Sequence, residues 1–557
     1  MSTSLLGSYR TLVEALAAAP ASAPFATWWT AGEETAITFG AFLDRAARFA
    51  TLYRAAGVRA GGTVVLLLAP GLELMAAFAG ALLAGAVPTI LAPPTFKIEP
   101  EKYRRGLSGV TANLAASLVV LDAGFPDALA ECVKGAVTLR VAEAPAAPLD
   151  RAEWATPSPD DVAFIQHSSG TTGLQKGVAL SHRMVLTHLA AVATSLRLAP
   201  GDRIVTWAPL YHDLGLIACF LLPLVAHLPL VAQSPTEWVT DPGSFLRLIS
   251  RHRGTLCLQP NFAFSFLARR VREEDRAELD LSSLRAVINC AEPVRGESMD
   301  EFFAVYGPRG LARSALHTMY GLAEAVMAVT HSVPDGIATL LVDRDALVRS
   351  GRAVPVPPST AGARLLLSSG RCLPGTRVRV LGPDGATRPD GHVGSIVIET
   401  AALFSGYYNR PDLTLARLRG GVLRTGDTGF LWREELFVLG REDDVIIVAG
   451  DNVYPEDVEA AAGTHPDVRD GRVIAFGVLN EELGTQDLVV VAEVDPRVLA
   501  ARKPAIEAAI RRAITGATGR PPRVVEAVPS GWIIKSTAGK PARRETREKF
   551  LRAREIR

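Results

Sequence analysis

The feature that most constrains the fold is an alternation of strand-like and helix-like segments early in the chain. Val64 to Leu68 has the apolar character of a buried strand, Leu72 to Leu83 has helical periodicity, and Ala86 to Leu91 returns to strand character. A second cycle appears from Val110 to Val120. Strand–helix–strand alternation predicts parallel sheets covered by helices, and therefore an α/β fold.

The preceding residues, from about Tyr9 to Ala56, predict mostly helix because they are rich in alanine and leucine. Ala36 to Phe39 is a candidate short strand, and Thr38 is a candidate N-cap for a helix from Phe42 to Ala56.

Further along, four predicted strands each end in a polar or kinked segment. They are Arg203 to Trp207, Thr255 to Leu258, Arg285 to Asn289 and His317 to Tyr320. In open α/β sheets, ligands bind at the carboxyl ends of the strands. The four endings are therefore expected to surround one cleft.

A stretch rich in Ser, Gly and Thr, from Phe164 to Gly177, lies between the apolar runs Val162 to Ile165 and Val178 to Leu180. Such a loop can offer backbone N–H and hydroxyl groups to phosphate oxygens. It is not a Walker A loop, which needs Gly before and Ser or Thr after a lysine such as Lys176. An ordinary surface turn is the alternative interpretation of the composition. Ser181, directly after the second apolar run, is a candidate N-cap for the helix that follows.

From Gly370 onward the chain changes to short strands and turns, and a new unit begins after Gly440-Arg441. Its strands and helices form a small α+β pattern that ends with Lys535 to Lys540 and a basic helix. We therefore expect two domains, residues 1–441 and residues 442–557.

Composition excludes several classes of function. The net charge of +1 over 557 residues gives no basic excess for binding nucleic acid. The five cysteines are scattered and lack metal-site spacing, so a cytoplasmic protein with reduced thiols is expected. The most apolar stretch, Leu216 to Ala232, contains Pro223, His227 and Pro229, so no membrane span is expected.

Several motifs, in order and over nearly the whole chain, resemble those of the adenylate-forming superfamily of acyl-CoA synthetases, adenylation domains and luciferases. They are the glycine-rich loop, Tyr320 to Glu324, Arg424 to Asp427, Gly440-Arg441 and Gly539-Lys540. The resemblance implies a large N-terminal domain of parallel α/β sheets with a small β-barrel-like part. It also implies a small, mobile α+β C-terminal domain.

Within the superfamily, the chain most resembles the fatty acyl-AMP ligases. The segments that carry this likeness are Trp207 to Gly215, Pro260 to Ala263, Ala323 and Gly450 to Pro455. Leu341 to Leu367 resembles an insertion that marks the group and is thought to hinder the domain movement needed for reaction with free coenzyme A. The resemblance implies ATP-dependent activation of a carboxylic acid to acyl-AMP, with Mg²⁺. Transfer to an acyl carrier protein acting in trans follows, in fatty acid metabolism or in polyketide or lipopeptide biosynthesis.

The same resemblance supplies the expected roles. Lys540 would bridge the carboxylate and the α-phosphate, His212 would sit by the carboxylate, and Glu324 would act in catalysis and bind Mg²⁺. Asp443 would be the hinge between the domains. The expected ATP-binding residues are Ser168, Ser169, Gly170, Thr171, Thr172, Gly173, Lys176, Glu292, Tyr320, Gly321, Asp427 and Arg441. The expected substrate pocket is lined by Tyr211, Asp213, Gln259, Asn261, Phe262, Cys290 and Ala291.

Each of these residues has an ordinary structural alternative. Asp427 follows a glycine turn, Arg441 can form a surface ion pair, Tyr320 can be a core aromatic, and Lys540 can be a solvated lysine with Lys535 as its competitor. Glu324 would suit the first turn of a helix starting after the glycine.

Three residues depart from the pattern of the related ligases. His167 stands where an aromatic residue is usual, and Gln259 and Cys290 stand where small glycines line the acyl tunnel. Larger side chains there would shorten or polarise the pocket, so a short or medium chain is expected. Two rival functions stay open at this point: an acyl-CoA ligase, and a nucleotide-binding regulatory protein without turnover.

Overall fold

The computed structural model describes residues 6–94, 100–141, 147–167, 176–332, 336–448, 451–483, 485–535 and 541–555. No helix in these ranges is both long enough and apolar enough to cross a bilayer.

The largest sheet in the described part of the chain has nine strands, and the six in its middle run parallel. From one edge to the other, they are Arg371–Cys372, Thr330–His331, Leu316–Tyr320, Ala286–Cys290, Leu256–Pro260, Ile204–Thr206, Leu230–Gln233, Pro24–Thr30 and Glu33–Thr38. Successive side chains point to opposite faces of a strand. Leu258 and Ile288 accordingly enter a first core, whereas Cys257 and Val287 enter a second core on the other face.

A second, all-parallel sheet comes from the strand–helix alternation near the N-terminus. Its strands, in spatial order, are Val87–Ile90, Thr63–Leu67, Leu118–Asp122 and Val137–Val141. The glycine-rich stretch is flanked by an antiparallel pair, Val162–His167 and Gly177–Ser181, which Gly406–Tyr407 extends.

The β-barrel-like part is an antiparallel sheet in the second half of the chain. Its strands are Thr376–Leu381, Gly394–Thr400, Leu418–Arg419, Val422–Trp432 and Glu435–Arg441. The predicted insertion is a hairpin of Thr339–Val342 and Arg364–Leu367 that encloses the helix Arg344–Ser350.

Helices pack around these sheets. The helices before residue 442 include Leu12–Ala17, Phe39–Ala55, Leu72–Ala84, Pro100–Leu114, Ala128–Glu131, His182–Ser195, Leu222–Ala226, Pro235–Thr240, Pro242–His252, Asn261–Arg270, Glu273–Arg276, Gly296–Tyr306, Arg344–Ser350 and Pro411–Arg417. Two of them start at predicted caps: the hydroxyl of Thr38 accepts from the Ala41 amide, and Ser181 accepts from the Met184 amide.

The C-terminal unit is α+β, with its own core around Val458, Val490 and Ile510. Its strands are Ile446–Val448, Asp451–Val453, Val468–Asn480, Thr485–Val494 and Val524–Pro529. Its helices are Pro455–Gly463, Pro496–Thr518 and Arg543–Glu555. The expected boundary after residue 441 falls between the strand Glu435–Arg441 and a 3₁₀ turn, Glu442–Asp444.

The α/β fold class is confirmed, with one error near the N-terminus. Pro24–Thr30 is a strand, although the sequence predicts mostly helix there. It pairs with Leu230–Gln233 on one side and with Glu33–Thr38 on the other. These long-range partners decide its conformation, which local propensity alone does not indicate.

Candidate active site

The four polar strand endings lie side by side at one edge of the large sheet. Leu316–Tyr320, Ala286–Cys290, Leu256–Pro260 and Ile204–Thr206 are consecutive neighbours in the sheet and run parallel. Their carboxyl ends therefore share one edge, where α/β sheets bind ligands.

Asp427 is the centre of a first polar group at this edge. The hydroxyl of Tyr320 donates to its Oδ2 at 2.5 Å, and Arg441 Nε lies 2.9 Å from its Oδ1. Asp427 and Arg441 are directly paired across neighbouring strands of the β-barrel-like part, so the register of that sheet fixes the ion pair. A carboxylate can accept about four hydrogen bonds, so Asp427 retains capacity for further donors.

Glu324 is the centre of a second polar group next to the first. Its Oε1 accepts a hydrogen bond from the hydroxyl of Tyr407 at 2.5 Å. Lys176 lies over the ring of that tyrosine, with its Nζ 5.1 Å from the ring centroid. Glu324 sits in a 3₁₀ turn, Ala323–Ala325, and not in the helix considered for it from the sequence.

The electrostatics of the two groups favour an anionic ligand. Burial lowers the pKa of Lys176, and the nearby cations Arg417, Arg410 and Arg441 lower it further while Glu324 opposes them. Neighbouring cations repel one another, and a phosphate that binds among them offsets this repulsion. Burial raises the pKa of the Asp427 carboxyl, and the Arg441 guanidinium opposes that shift.

Two glycines let the backbone approach closely here. A Cβ on Gly321 would lie 1.7 Å from the carbonyl oxygen of Met327, so no larger residue fits beside the Ala323–Ala325 turn. Gly426 has a φ of +75°, and a Cβ there would also meet the guanidinium of Arg417. Both glycines precede a charged site residue and set where its side chain emerges.

The residues expected to line an acid pocket lie around the other strand endings. His212 Nδ1 is 2.6 Å from Asp213 Oδ1, and the carbonyl of Tyr211 accepts from Gln166 Nε2 at 3.0 Å. Glu292 accepts from the backbone N–H of Phe262 at 3.1 Å, which ties two of the strand endings together.

A second set of contacts in this region involves buried amides. Asn261 Oδ1 accepts from Asn289 Nδ2 at 2.9 Å, and Asn261 Nδ2 donates to the hydroxyl of Ser298. Cys290 is buried, and Ala291 after it has a φ of +66°, which is unusual for a residue with a Cβ. The segment after this strand is therefore sharply turned into the cleft.

His167 immediately precedes the glycine-rich stretch. Its Nδ1 lies 2.9 Å from the hydroxyl of Thr89, and burial lowers its pKa to about 4. It is therefore a neutral, internally bonded histidine at neutral pH.

Some expected site residues fall outside the described ranges. These residues are Ser168, Ser169, Gly170, Thr171, Thr172, Gly173 and Lys540. Asp443, the expected hinge, lies in the turn Glu442–Asp444.

Tyr407 and Arg417 belong to the site, and sequence reasoning misses both. Tyr407 is 83 residues from Glu324 along the chain, and no spacing rule connects them. The tyrosine pair after Gly406 was the available signal, because glycine followed by aromatics suggests a chain segment packed closely on another.

Comparison with known proteins identifies the family of the chain. Residues 13–408 match the family described as AMP-binding enzyme. The medium-chain-fatty-acid–acyl-carrier-protein ligase JamA of Moorena producens is 32% identical, over 91% of this chain and 89% of its own. The long-chain-fatty-acid–AMP ligase FadD26 of Mycobacterium marinum is also 32% identical, with coverages of 88% and 87%.

Solved structures give the same result for the fold. A structure from a study of fatty acyl-adenylate ligases of E. coli and L. pneumophila is 28% identical, with a TM-score of 0.88 and coverages of 99% and 98%. The L. pneumophila ligase in complex with acyl adenylate and pyrophosphate is 28% identical, with a TM-score of 0.76 and coverages of 99% and 97%. Because the family match covers most of the chain, the protein belongs to the AMP-binding enzyme family.

Proposed function

We propose that this protein is a fatty acyl-AMP ligase. It activates a carboxylic acid with ATP to acyl-AMP, releases pyrophosphate, and passes the acyl group to the phosphopantetheine thiol of a separate acyl carrier protein. The convergence of Asp427, Arg441, Glu324 and Lys176 beside the carboxyl ends of the sheet carries the proposal. The names of both relatives support the choice of a fatty acid, and the name of JamA supports the carrier.

The first step makes a new bond between a carboxylate oxygen and the α-phosphorus, and breaks the bond from that phosphorus to pyrophosphate. Negative charge accumulates on phosphate oxygens, so cations placed in advance lower the barrier. Lys176 and Arg441 lie at the site, and the expected phosphate-binding residues of the glycine-rich stretch precede Lys176 in sequence. Lys540 would neutralise the carboxylate and the α-phosphate together.

The nucleoside would be held by the Asp427 group. A carboxylate fixed by Tyr320 and Arg441 is a strong acceptor for the two ribose hydroxyls. The half-buried ring of Tyr320 would pack against adenine, and Gly321 leaves the backbone room to approach it.

Glu324 suits Mg²⁺, which prefers hard carboxylate oxygens and commonly uses one or two of them together with substrate phosphates and waters. Among the described residues, no group of three or more acidic, His or Cys side chains could hold a metal by itself. The donor set therefore fits an ion shared with the nucleotide. When bound, the ion would supply charge stabilisation to the departing pyrophosphate.

The acid would enter beside His212 and the endings that carry Gln259 and Cys290. Full burial of these two larger side chains leaves less space than glycines would, which supports a short or medium chain. Each buried CH₂ of the acid contributes roughly 0.8 kcal/mol until the pocket ends.

Pyrophosphate release with a panel of carboxylic acids tests the adenylation step. Acid-dependent release is expected, and a purified, folded protein that releases none with any acid would overturn the proposal. Acyl transfer to a phosphopantetheinylated carrier, compared with transfer to free coenzyme A, then separates the ligase from an acyl-CoA ligase. Preference for the carrier is expected.

A further inference from the structure

A row of large polar side chains crosses the large sheet close to the carboxyl ends of its strands. Gln259 and Asn289 are directly paired in register on neighbouring strands. The strands Ile204–Thr206 and Leu230–Gln233 come next in the sheet. Their registers place Trp207, directly after the first of them, and Gln233 at the same level. Side chains at one level of a parallel sheet share a face, so the four residues lie together.

The face can be assigned from the neighbours. Residues two positions earlier on these strands, Val205, Val231, Cys257 and Val287, all pack in the second core. Because side chains alternate along a strand, the row faces the same side and lies at the end of that core nearest the cleft.

Gln259 and Asn289 are both fully buried. Among the described residues, neither amide atom of Gln259 has a hydrogen-bond partner, and neither does Asn289 Oδ1. Trp207 Nε1 is likewise buried without a partner in the described part of the chain. Native interiors satisfy most such groups, so several in one place indicate that a partner binds there.

The arrangement is fixed and not a loose cluster. Asn289 Nδ2 donates to Asn261 Oδ1. This bond holds the Oδ1 atom of Asn289 on the side of its amide that faces away from Asn261. Gln233, at the far end of the row, differs because its Oε1 accepts from the hydroxyl of Ser244 at 2.9 Å, so that only its Nε2 lacks a partner among the described residues.

The row is within reach of the nucleotide site. Asn289 pairs in register with Thr318, two residues before Tyr320. Since neighbouring strands lie about 4.8 Å apart, Gln259 is on the order of 10 Å from the Tyr320 strand. Phe262, which is 42% exposed, contacts Trp207 at the open side of the row, with 6.1 Å between ring centroids.

We propose that Gln259 and Asn289 form a polar subsite for a hydrogen-bonding group, a hydroxyl in the first instance, on the acyl chain of the substrate. This inference rests on the proposed function. A hydroxyl accepts from Gln259 Nε2 or Trp207 Nε1, and it donates to Gln259 Oε1 or Asn289 Oδ1. A plain alkyl chain leaves these atoms unpaired, so the subsite selects oxygenated acids.

Straight-chain acids and their hydroxylated counterparts of equal carbon number, with the hydroxyl at successive positions, test the subsite. For at least one position, the wild type is expected to have a kcat/KM for pyrophosphate release about tenfold above that for the plain acid. Gln259→Met, which is similar in size and apolar, is expected to lose that preference, so that the kcat/KM values for the hydroxylated and the plain acid become nearly equal.

The melting temperature distinguishes a recognition role from a structural one. Gln259→Met removes a buried amide without a partner, so the melting temperature of this variant is expected to be equal to or higher than that of the wild type. The matched control Gln233→Met breaks the bond to Ser244, so it should lower the melting temperature while keeping the ratio of the two activities.

The outcomes separate the two proposals. No pyrophosphate release with any acid overturns the proposed function. Release with plain acids and no preference for any hydroxylated acid overturns the subsite alone. The same conclusion follows if Gln259→Met keeps the preference, or if it lowers the melting temperature as Gln233→Met does.

Discussion

At the scale of single residues, the candidate site consists of two carboxylates that are each held by a tyrosine hydroxyl. Tyr320 holds Asp427, and Tyr407 holds Glu324. The burial of both tyrosines raises the pKa of their phenols, so they remain donors at neutral pH. The tyrosines therefore fix the carboxylates in one orientation while leaving other lone pairs for a ligand.

The substitution Tyr407→Phe tests the orientation of Glu324. It removes the hydroxyl that binds Oε1 but keeps the ring beneath Lys176. We expect kcat/KM for ATP to fall roughly tenfold, because a charge-assisted hydrogen bond contributes about 1.5–3 kcal/mol. The measurement is acid-dependent pyrophosphate release at varied ATP and Mg²⁺.

Tyr408→Phe is the matched control, because it changes the adjacent tyrosine, whose backbone N–H donates to Gly177 and is retained. It should behave as the wild type. Equal kinetics in Tyr407→Phe and the wild type would show that Glu324 needs no such support.

At the scale of elements, the insertion packs on the C-terminal unit. Arg364 Nη2 lies 2.6 Å from Asp457 Oδ1, and its guanidinium lies 5.4 Å from the ring centroid of Tyr454. Apolar residues of the insertion, of the antiparallel sheet before residue 442 and of the C-terminal unit form one core: Val342, Leu347, Ala353, Leu366, Phe430, Phe437, Leu439 and Tyr454. The hairpin therefore contacts the unit whose movement it is expected to hinder.

Weakening this contact is expected to raise the reaction with free coenzyme A. Deleting 341–367 removes the whole contact, and Arg364→Gln removes only the ion pair with Asp457. We expect CoA thioester formation to rise in both, more in the deletion, while adenylation persists. Arg349→Gln, within the same insertion but away from Asp457, is the control. An adenylating, folded deletion variant with unchanged CoA activity would contradict the restraint.

The helix Pro455–Gly463 carries a buried acid beside the predicted hinge. Burial raises the pKa of Glu456 to about 7, while Arg543 opposes the shift. Arg543 Nε also lies 3.2 Å from Asp444 Oδ2, and a Cβ on Gly440 would approach Glu456 Oε2 at 2.9 Å. The start of this helix thus lies close to Gly440, just before the turn Glu442–Asp444, and Arg543 lies between Glu456 and Asp444.

This acid predicts a dependence of stability on pH. Folding raises the pKa of Glu456, so its protonated form stabilises the folded protein. This contribution to the free energy of unfolding is fully present below the pKa of the unfolded state and is lost as pH rises through about 7. The change is on the order of 3 kcal/mol in the free energy of unfolding. Melting temperatures of the full chain between pH 5 and 8 should fall more with rising pH in the wild type than in Glu456→Gln.

Glu548→Gln is the control for that comparison, since it removes a surface acid that pairs with Arg544 one helical turn away. It should follow the wild type across the pH range. If the melting temperatures of Glu456→Gln and the wild type change with pH in parallel, protonation of Glu456 is not linked to folding.

At the scale of the whole molecule, the two expected domains contact each other beyond the hinge. Arg269, on the helix that follows the Leu256–Pro260 strand, lies 2.5 Å from Asp470 of the C-terminal unit. This pair is largely exposed, so it contributes at most about 1 kcal/mol and permits the domains to separate. Rotation about the turn Glu442–Asp444 would therefore break this pair at little cost, in contrast to the contacts of the insertion.

We propose that Lys540 is the residue through which such a rotation would act on catalysis. We expect Lys540→Ala to lower pyrophosphate release by on the order of 10²–10³, because it removes a cation from a site of developing charge. Transfer of the acyl group from preformed acyl-AMP should suffer less, since the phosphate charge that Lys540 would neutralise develops in the adenylation step. The two half-reactions are measured separately with the full chain.

Lys535→Ala, five residues earlier in the sequence, is the matched control, and it should keep most of the adenylation rate. Near-normal pyrophosphate release by Lys540→Ala, or an equal loss in Lys535→Ala, would remove Lys540 from its proposed role.

The sequence by itself determined the features that depend on near neighbours. Periodicity predicted the parallel strands, and the hydroxyls of Thr38 and Ser181 marked the starts of two helices. The adjacent strand endings followed from the rule that parallel strands share a carboxyl edge. Periodicity and capping act within a few residues, which is why they can be recognised along the chain.

Only the tertiary structure decided which distant residues meet. It made Pro24–Thr30 a strand by supplying partners on both sides, placed Tyr407 on Glu324, and left Gln259 buried without a partner among the described residues. Such contacts depend on how sheets and loops pack across hundreds of residues. No local pattern encodes them, because the polar groups of the same short segment can form hydrogen bonds with water, with another part of the chain or with a ligand.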